Sequence, residues 1–151
     1  MKLTRAGEYA VRCVLCLAKH GQNTLVSKKS VAREYDIPDQ FLAKIAQKLA
    51  KAGIIVIRQG AHGGYILSRP PEDISLLEVV ETIIGEISLN DCVTSSDACR
   101  ASDNCAVNRI WVKACNQLRE TLGEVNFKTL LEEDSCFMLP QILDITDGID
   151  R

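Results

Sequence analysis

The sequence predicts a mainly α-helical chain with one small β-hairpin, on three observations. Apolar residues recur at helical spacing in several segments that open on a capping residue. One glycine-rich turn lies between two short β-branched runs. A long amphipathic segment, about residues 106–122, carries a wide apolar stripe. The 151 residues fit one domain or two small ones. Apolar residues make up 46% and charged residues 25%, an ordinary globular composition. No apolar run approaches a membrane span. Lys2, Arg5, Glu8 and Arg12 interrupt the start, so no secretory h-region is expected there.

Thr4 suits the N-cap of a first helix ending near His20, with Leu3, Ala6, Ala10, Val14, Leu17 and Ala18 on one face and Gly21 as its stop. Cys13 and Cys16 lie in mid-helix beside Val14 and Leu15, a place for core thiols more than for reactive ones. Ser27 opens a second helix, Lys28 to about Tyr35. Asp36-Ile37-Pro38 breaks it, because the residue before proline avoids the α region. A third helix runs from Pro38 to Ala52 and stops at Gly53. Phe41, Leu42, Ile45, Leu49 and Ala52 form its expected buried face, and Gln40, Lys44, Gln47, Lys48 and Lys51 its outer one. Helix, tight turn and helix with a basic outer face is a helix-turn-helix pattern.

Ile54–Arg58 and Tyr65–Arg69 read as two strands around Gln59-Gly60-Ala61-His62-Gly63-Gly64. A hairpin directly after a recognition helix is a wing, and Arg58 and His62 sit where its tip would meet a duplex. Pro70-Pro71 is a stiff hinge. Ser75-Leu-Leu-Glu78 is a capping box opening a helix to about Ile84. The long helix runs from about Ala106 to Leu122 with Gly123 as its stop. Its stripe of Ile110, Trp111, Ala114, Leu118, Leu122 and Val125 exceeds what so small a chain readily covers, which points to a symmetric dimer; packing within the chain is the other reading. Cys115 is expected to be packed. Thr129-Leu-Leu-Glu132 is expected to cap a last short helix. Residues 134–151, Cys136 among them, show no period and form a tail expected to be partly disordered. The expected division is residues 1–70, a winged helix-turn-helix for DNA; 71–133, a cysteine loop and dimerisation helix; and 134–151, the tail.

The net charge of −2 hides an asymmetry. Residues 1–70 hold twelve Lys and Arg against four Asp and Glu, a surplus of +8, whereas residues 71–151 hold six against sixteen, a balance of −10. The basic half is suited to a polyanion. Three of the seven cysteines, Cys92, Cys99 and Cys105, fall within fourteen residues otherwise rich in Ser, Asp, Asn and Ala. That stretch has too few apolar groups to fold by burial, and three thiolates can shape it by holding a metal or cluster. The other reading is a mobile loop with incidental thiols. Seven cysteines are expected in a reducing cytoplasm, as ligands, redox groups or core residues. No phosphate loop, catalytic triad or second cysteine set points to an enzyme or electron carrier.

The opening M-K-L-T-R-A-G-E-Y-A-V-R, the L-A-K-A-G-I-I that ends the third helix, the G-A-H-G-G-Y-I-L of the wing and the triple-cysteine loop together resemble the Rrf2 family of bacterial winged-helix transcription regulators, including its IscR-, NsrR- and RirA-like members. The resemblance covers about residues 1–133. It implies a homodimer that binds a near-palindromic operator and holds an iron–sulfur cluster at the dimer interface. The family's loop cysteines fall on Cys92, Cys99 and Cys105. Some members have a histidine as fourth ligand where this chain has Asn108, and some have a first-helix histidine where it has Arg12. Others use an acidic residue from the partner's first helix, a position held here by Glu8. The resemblance therefore favours a 4Fe–4S cluster on three thiolates plus Glu8 or solvent, with 2Fe–2S as the other form. The operator-reading set it implies is Ser27 and Lys28 at a helix start, Gln40 and Lys44 on the recognition helix, and Arg58, His62 and Gly64 in the wing. A cluster-free or thiol-disulfide-switched regulator of the same fold is the alternative.

Overall fold

The computed structural model describes residues 4–101 and 104–133. The chain forms α1 (Arg5–His20), α2 (Lys28–Glu34), α3 (Asp39–Lys51), β1 (Ile55–Arg58), β2 (Gly64–Leu67), α4 (Leu76–Ile84), α5 (Asp91–Thr94), α6 (Ala106–Glu124) and α7 (Phe127–Glu132), with short 3-10 turns at Pro71–Asp73 and Ser96–Ala98. The mainly helical fold with one hairpin is as the sequence predicts. Among the described residues no helix is long and apolar enough to cross a membrane.

Local chemistry sets most helix starts. The hydroxyls of Thr4, Ser27 and Ser75 accept from the N–H groups of Gly7, Ser30 and Glu78. Gly21 ends α1 at φ 97°, a conformation open to glycine and costly for other residues. The capping box at Ser75 is only half made, since the Glu78 carboxylate turns to Arg69.

α1 is the central helix. Tyr9, Ala10 and Cys13 to Ala18 are all buried, a wider surface than the one face its periodicity predicts. It packs chiefly on α4, α3 and α7. Val14, Leu17, Leu42, Leu49, Tyr65, Leu67, Ile74, Val79 and Phe127 belong to one continuous core. β1 and β2 pair antiparallel from Ile55↔Leu67 to Arg58↔Gly64. Val26 adds a bridge to Tyr65, with reciprocal N–H···O bonds of 3.0 and 2.9 Å, and so ties the wing to the start of α2.

Several local expectations are corrected. Ala52 is exposed, and Ala46 takes the buried place on α3. Ile54 is buried just before β1, and β2 ends at Leu67. α6 continues through Gly123 to Glu124, with Gly123 in helical conformation beside Leu77 of α4. The last helix begins earlier, at Phe127, and Asn126 rather than Thr129 caps it by accepting from the Thr129 N–H at 2.9 Å. Leu3, the 134–151 tail and Cys136 lie outside the described residues.

Candidate functional site

The first candidate surface is the basic face of the helix-turn-helix and wing. Ser27, Lys28, Gln40, Lys44, Arg58 and His62 are all exposed. Lys48, on the same helix, is committed elsewhere: its Nζ donates to the Ile83 carbonyl at the end of α4, at 3.1 Å. Gly64 is buried instead of standing on the exposed face. An ideal Cβ there would overlap the Val26 carbonyl, so the glycine lets the wing close against the start of α2. Gly63 has the same relation to the Arg58 carbonyl across the turn.

The turn between α2 and α3 is held from α1. Asp36 adopts φ 50°, uncommon for a residue with a side chain. Arg12 Nη1 donates to the Tyr35 and Asp36 carbonyls, both at 3.4 Å, and its guanidinium lies 5.5 Å from the Tyr9 ring centroid. The Tyr9 and Phe41 rings meet at 5.3 Å, inclined by 59°. Arg12 thus braces the α2–α3 turn, a role that its place in the sequence did not reveal.

The second candidate is the cysteine loop. Cys92 lies in α5 and is half-buried, Cys99 follows the 96–98 turn and is exposed, and Cys105 is the N-cap of α6. Asn108 joins both ends. Its side-chain amide donates to the Cys92 carbonyl at 2.8 Å, and its backbone N–H donates to Cys105 Sγ at 3.4 Å. A negatively charged ligand atom at the Cys105 position would face the N-terminus of a 19-residue helix. Upstream, Leu89 donates to the buried Cys115 Sγ at 3.3 Å, and Arg119 bonds to both Glu81 and Glu86, fixing the loop's entry to α4 and α6. Cys115 is packed, as expected. Glu8 is exposed in the first turn of α1, whose main packing partners are α4, α3 and α7 rather than the loop. Three thiols on a polar, solvent-facing loop fit the donor chemistry of an iron–sulfur cluster.

The apolar stripe of α6 divides. Cys115 and Arg119 turn toward the α4 side, Ala114, Leu118 and Leu122 are half-buried, and Val107, Ile110 and Trp111 remain 57%, 63% and 37% exposed.

A third group was missed in the sequence. Cys16 Sγ lies 3.8 Å from Glu34 Oε2, and His20 Nε2 lies 2.9 Å from the same oxygen. Burial, and then the Glu34 carboxylate, push the Cys16 thiol well up. Cys13 is wholly buried and pushed up to about 12 by that burial. The Cys16-to-His20 spacing of one helical turn was the available signal; the crossing of α1 and α2 that supplies Glu34 was not readable.

Known proteins similar to this chain are transcription regulators. Protein rrf2 of Nitratidesulfovibrio vulgaris Hildenborough is 32% identical over 135 residues, covering 89% of this chain and 90% of that protein. The structure of T. potens IscR superposes with a TM-score of 0.70 at 26% identity, covering 87% of each chain. Staphylococcus aureus CymR, solved in an oxidized form, gives 0.71 at 28% identity, covering 90% of this chain and all of that one. The family model for Rrf2, described as an iron-dependent transcriptional regulator, matches residues 3–133. A winged helix-turn-helix with an exposed basic face, matched over nearly all its described length to regulators and to no enzyme among these relatives, the chain belongs to the Rrf2 family of transcription regulators.

Proposed function

We propose that this regulator acts as a homodimer on a near-palindromic DNA operator, with an iron–sulfur cluster on Cys92, Cys99 and Cys105 controlling its affinity. The observation that carries the reading is Asn108, which holds Cys92 and Cys105, sixteen and three residues from it in sequence, to one helix start. The 4Fe–4S form, with Glu8 of the partner subunit or solvent as fourth ligand, accounts best for the absence of a histidine at Asn108. Bound there, the cluster would supply a cross-link between thiolates that is sensitive to redox state, nitric oxide or iron supply.

Residues 1–70 serve as the DNA-binding unit and residues 71–133 as the sensing and dimerisation unit. Val107, Ile110 and Trp111 supply the apolar contact between copies. Two recognition helices then lie about one DNA turn apart. Gln40 is suited to adenine, Lys44 to guanine or phosphate, and Ser27, Lys28, Arg58 and His62 to the flanking backbone, while Gly64 seats the wing. Ligated, the loop is ordered from α5 to α6; released, it frees the start of α6 and the dimer geometry built on it. A switch from nearly full to nearly empty operator requires the two states to differ by about 5.5 kcal/mol in DNA affinity.

The test is Cys99→Ala, which leaves the core intact because Cys99 is exposed. It is expected to abolish both the visible chromophore and the ligand-dependent change in operator binding; retained regulation would contradict the mechanism. A thiol-disulfide switch at the same cysteines is the second reading, favoured by the likeness to CymR in an oxidized form. It predicts regulation by oxidant in protein that contains no iron.

A further inference from the structure

We propose that Cys16, His20 and Glu34 form a binding site for one divalent transition-metal ion of the zinc class, stapling the last turns of α1 to the end of α2. This site is separate from the cysteine loop and does not depend on a cluster there.

Cys16 and His20 lie one turn apart on α1, so both side chains leave the same face. Glu34 is the last residue of α2 and meets them across the helix crossing. The three donor atoms, one sulfur, one ring nitrogen and one carboxylate oxygen, all lie within 4.8 Å of one another. Around a tetrahedral ion with zinc-type bond lengths, such donors stand roughly 3.3–3.6 Å apart. Cys16 to Glu34 at 3.8 Å is close to that, and His20 to Glu34 at 2.9 Å needs only a small opening. The sulfur is buried and forms the floor, while His20 and Glu34, 37% and 40% exposed, form a rim open to solvent. Water would complete the tetrahedron.

An ordinary alternative is an exposed histidine–glutamate pair above a core thiol. Against it, the buried Cys16 Sγ lies within 3.8 Å of the carboxylate that also meets His20, so all three donors converge on one point. The mixture of sulfur, nitrogen and oxygen donors selects a borderline ion over magnesium or calcium. Binding would release the thiol proton to solvent as the thiolate forms its bond to the metal.

The experiment is a cobalt(II) titration of the full chain carrying Cys92→Ala, Cys99→Ala and Cys105→Ala, which removes competition from the loop. Cobalt(II) reports a bound thiolate by a charge-transfer band and tetrahedral geometry by its visible bands. The expected result is one ion per chain with both signals, displaced by zinc. Cys16→Ala should remove the charge-transfer band, and His20→Ala and Glu34→Gln should each weaken binding at least tenfold. The last two residues are exposed, so their variants should retain the helical circular dichroism of the parent even if Cys16→Ala does not. Absence of the band, or a band and affinity left unchanged by any one of the three substitutions, would overturn the proposal.

Discussion

The Asn108 side chain donates to the Cys92 carbonyl at 2.8 Å while its own N–H faces Cys105 Sγ, so one residue ties the backbone at Cys92 to the thiol of Cys105. Some relatives are expected to place a ligating histidine here. In the proposed site this position braces the cysteine loop without being a ligand. Asn108→Ala should therefore leave a site that still binds but holds less well. The loss of a hydrogen bond to the loop backbone corresponds to about 1 kcal/mol. Decay of the visible band in air should be faster than in the parent protein, with unchanged iron content in freshly prepared anaerobic samples. Equal decay rates would show that the loop closes without Asn108.

Lys44→Ala should weaken operator binding by about 1–3 kcal/mol if the lysine reads a base. The check is titration of palindromic and random duplexes at one fixed salt concentration. A loss confined to the palindrome identifies base reading. An equal loss on both, with a shallower dependence on salt, assigns Lys44 to phosphate alone.

Gly64→Ala should cost about 1–3 kcal/mol of stability, because its new Cβ would overlap the Val26 carbonyl of a paired backbone. It should also reduce DNA affinity, since the wing is displaced from the start of α2. Denaturant melts and gel shifts measure the two effects; an unchanged melt would show that the wing moves freely at that contact.

Three helix starts were legible from sequence because their cause is local: Thr4, Ser27 and Ser75 each bond to an N–H three residues on. Gly123 looks like a stop, yet α6 runs through it to Glu124 before Val125 turns extended. Glu78 completes a capping box on paper, yet Arg69 takes its carboxylate. The long-helix stripe was readable as apolar, but not which part stays uncovered, since that depends on Cys115 and Arg119 facing α4 and its following turn. The basic face was legible at Gln40 and Lys44; the use of Lys48 as a strut to Ile83 was not.

Thiol reactivity separates the cysteines. Loop residues Cys92 and Cys99 should react with a disulfide reagent at pH 8 in native apo-protein. Cys13 should not. Its folded pKa, raised to about 12, lies above the ordinary thiol value, so the neutral form dominates throughout the range from neutral pH to about 11, and burial blocks access besides. Because the raised value favours the protonated thiol, this contribution is full below the ordinary thiol value of 9.0 and is lost as pH rises from there to about 12. Mass mapping of labelled peptides checks this; rapid native labelling of Cys13 would contradict the packing of α1.

Ile110→Glu should convert the proposed dimer to monomer, since Ile110 is 63% exposed in the single chain and its carboxylate would meet its symmetry mate's neighbourhood in an apolar contact. Analytical ultracentrifugation of parent and variant reads this directly. A parent protein that is monomeric at micromolar concentration would remove the basis for a palindromic operator.

The central claim is that the three-cysteine loop holds an iron–sulfur cluster. Iron and acid-labile sulfide per chain, with a visible spectrum, measured on protein purified without oxygen from iron-replete cells, test it most directly. The account predicts about four of each per chain with broad visible absorption, given the 4Fe–4S assignment. About two of each would replace that assignment with 2Fe–2S. Neither iron nor sulfide, and no chromophore, would contradict the claim and transfer regulation to the thiols themselves.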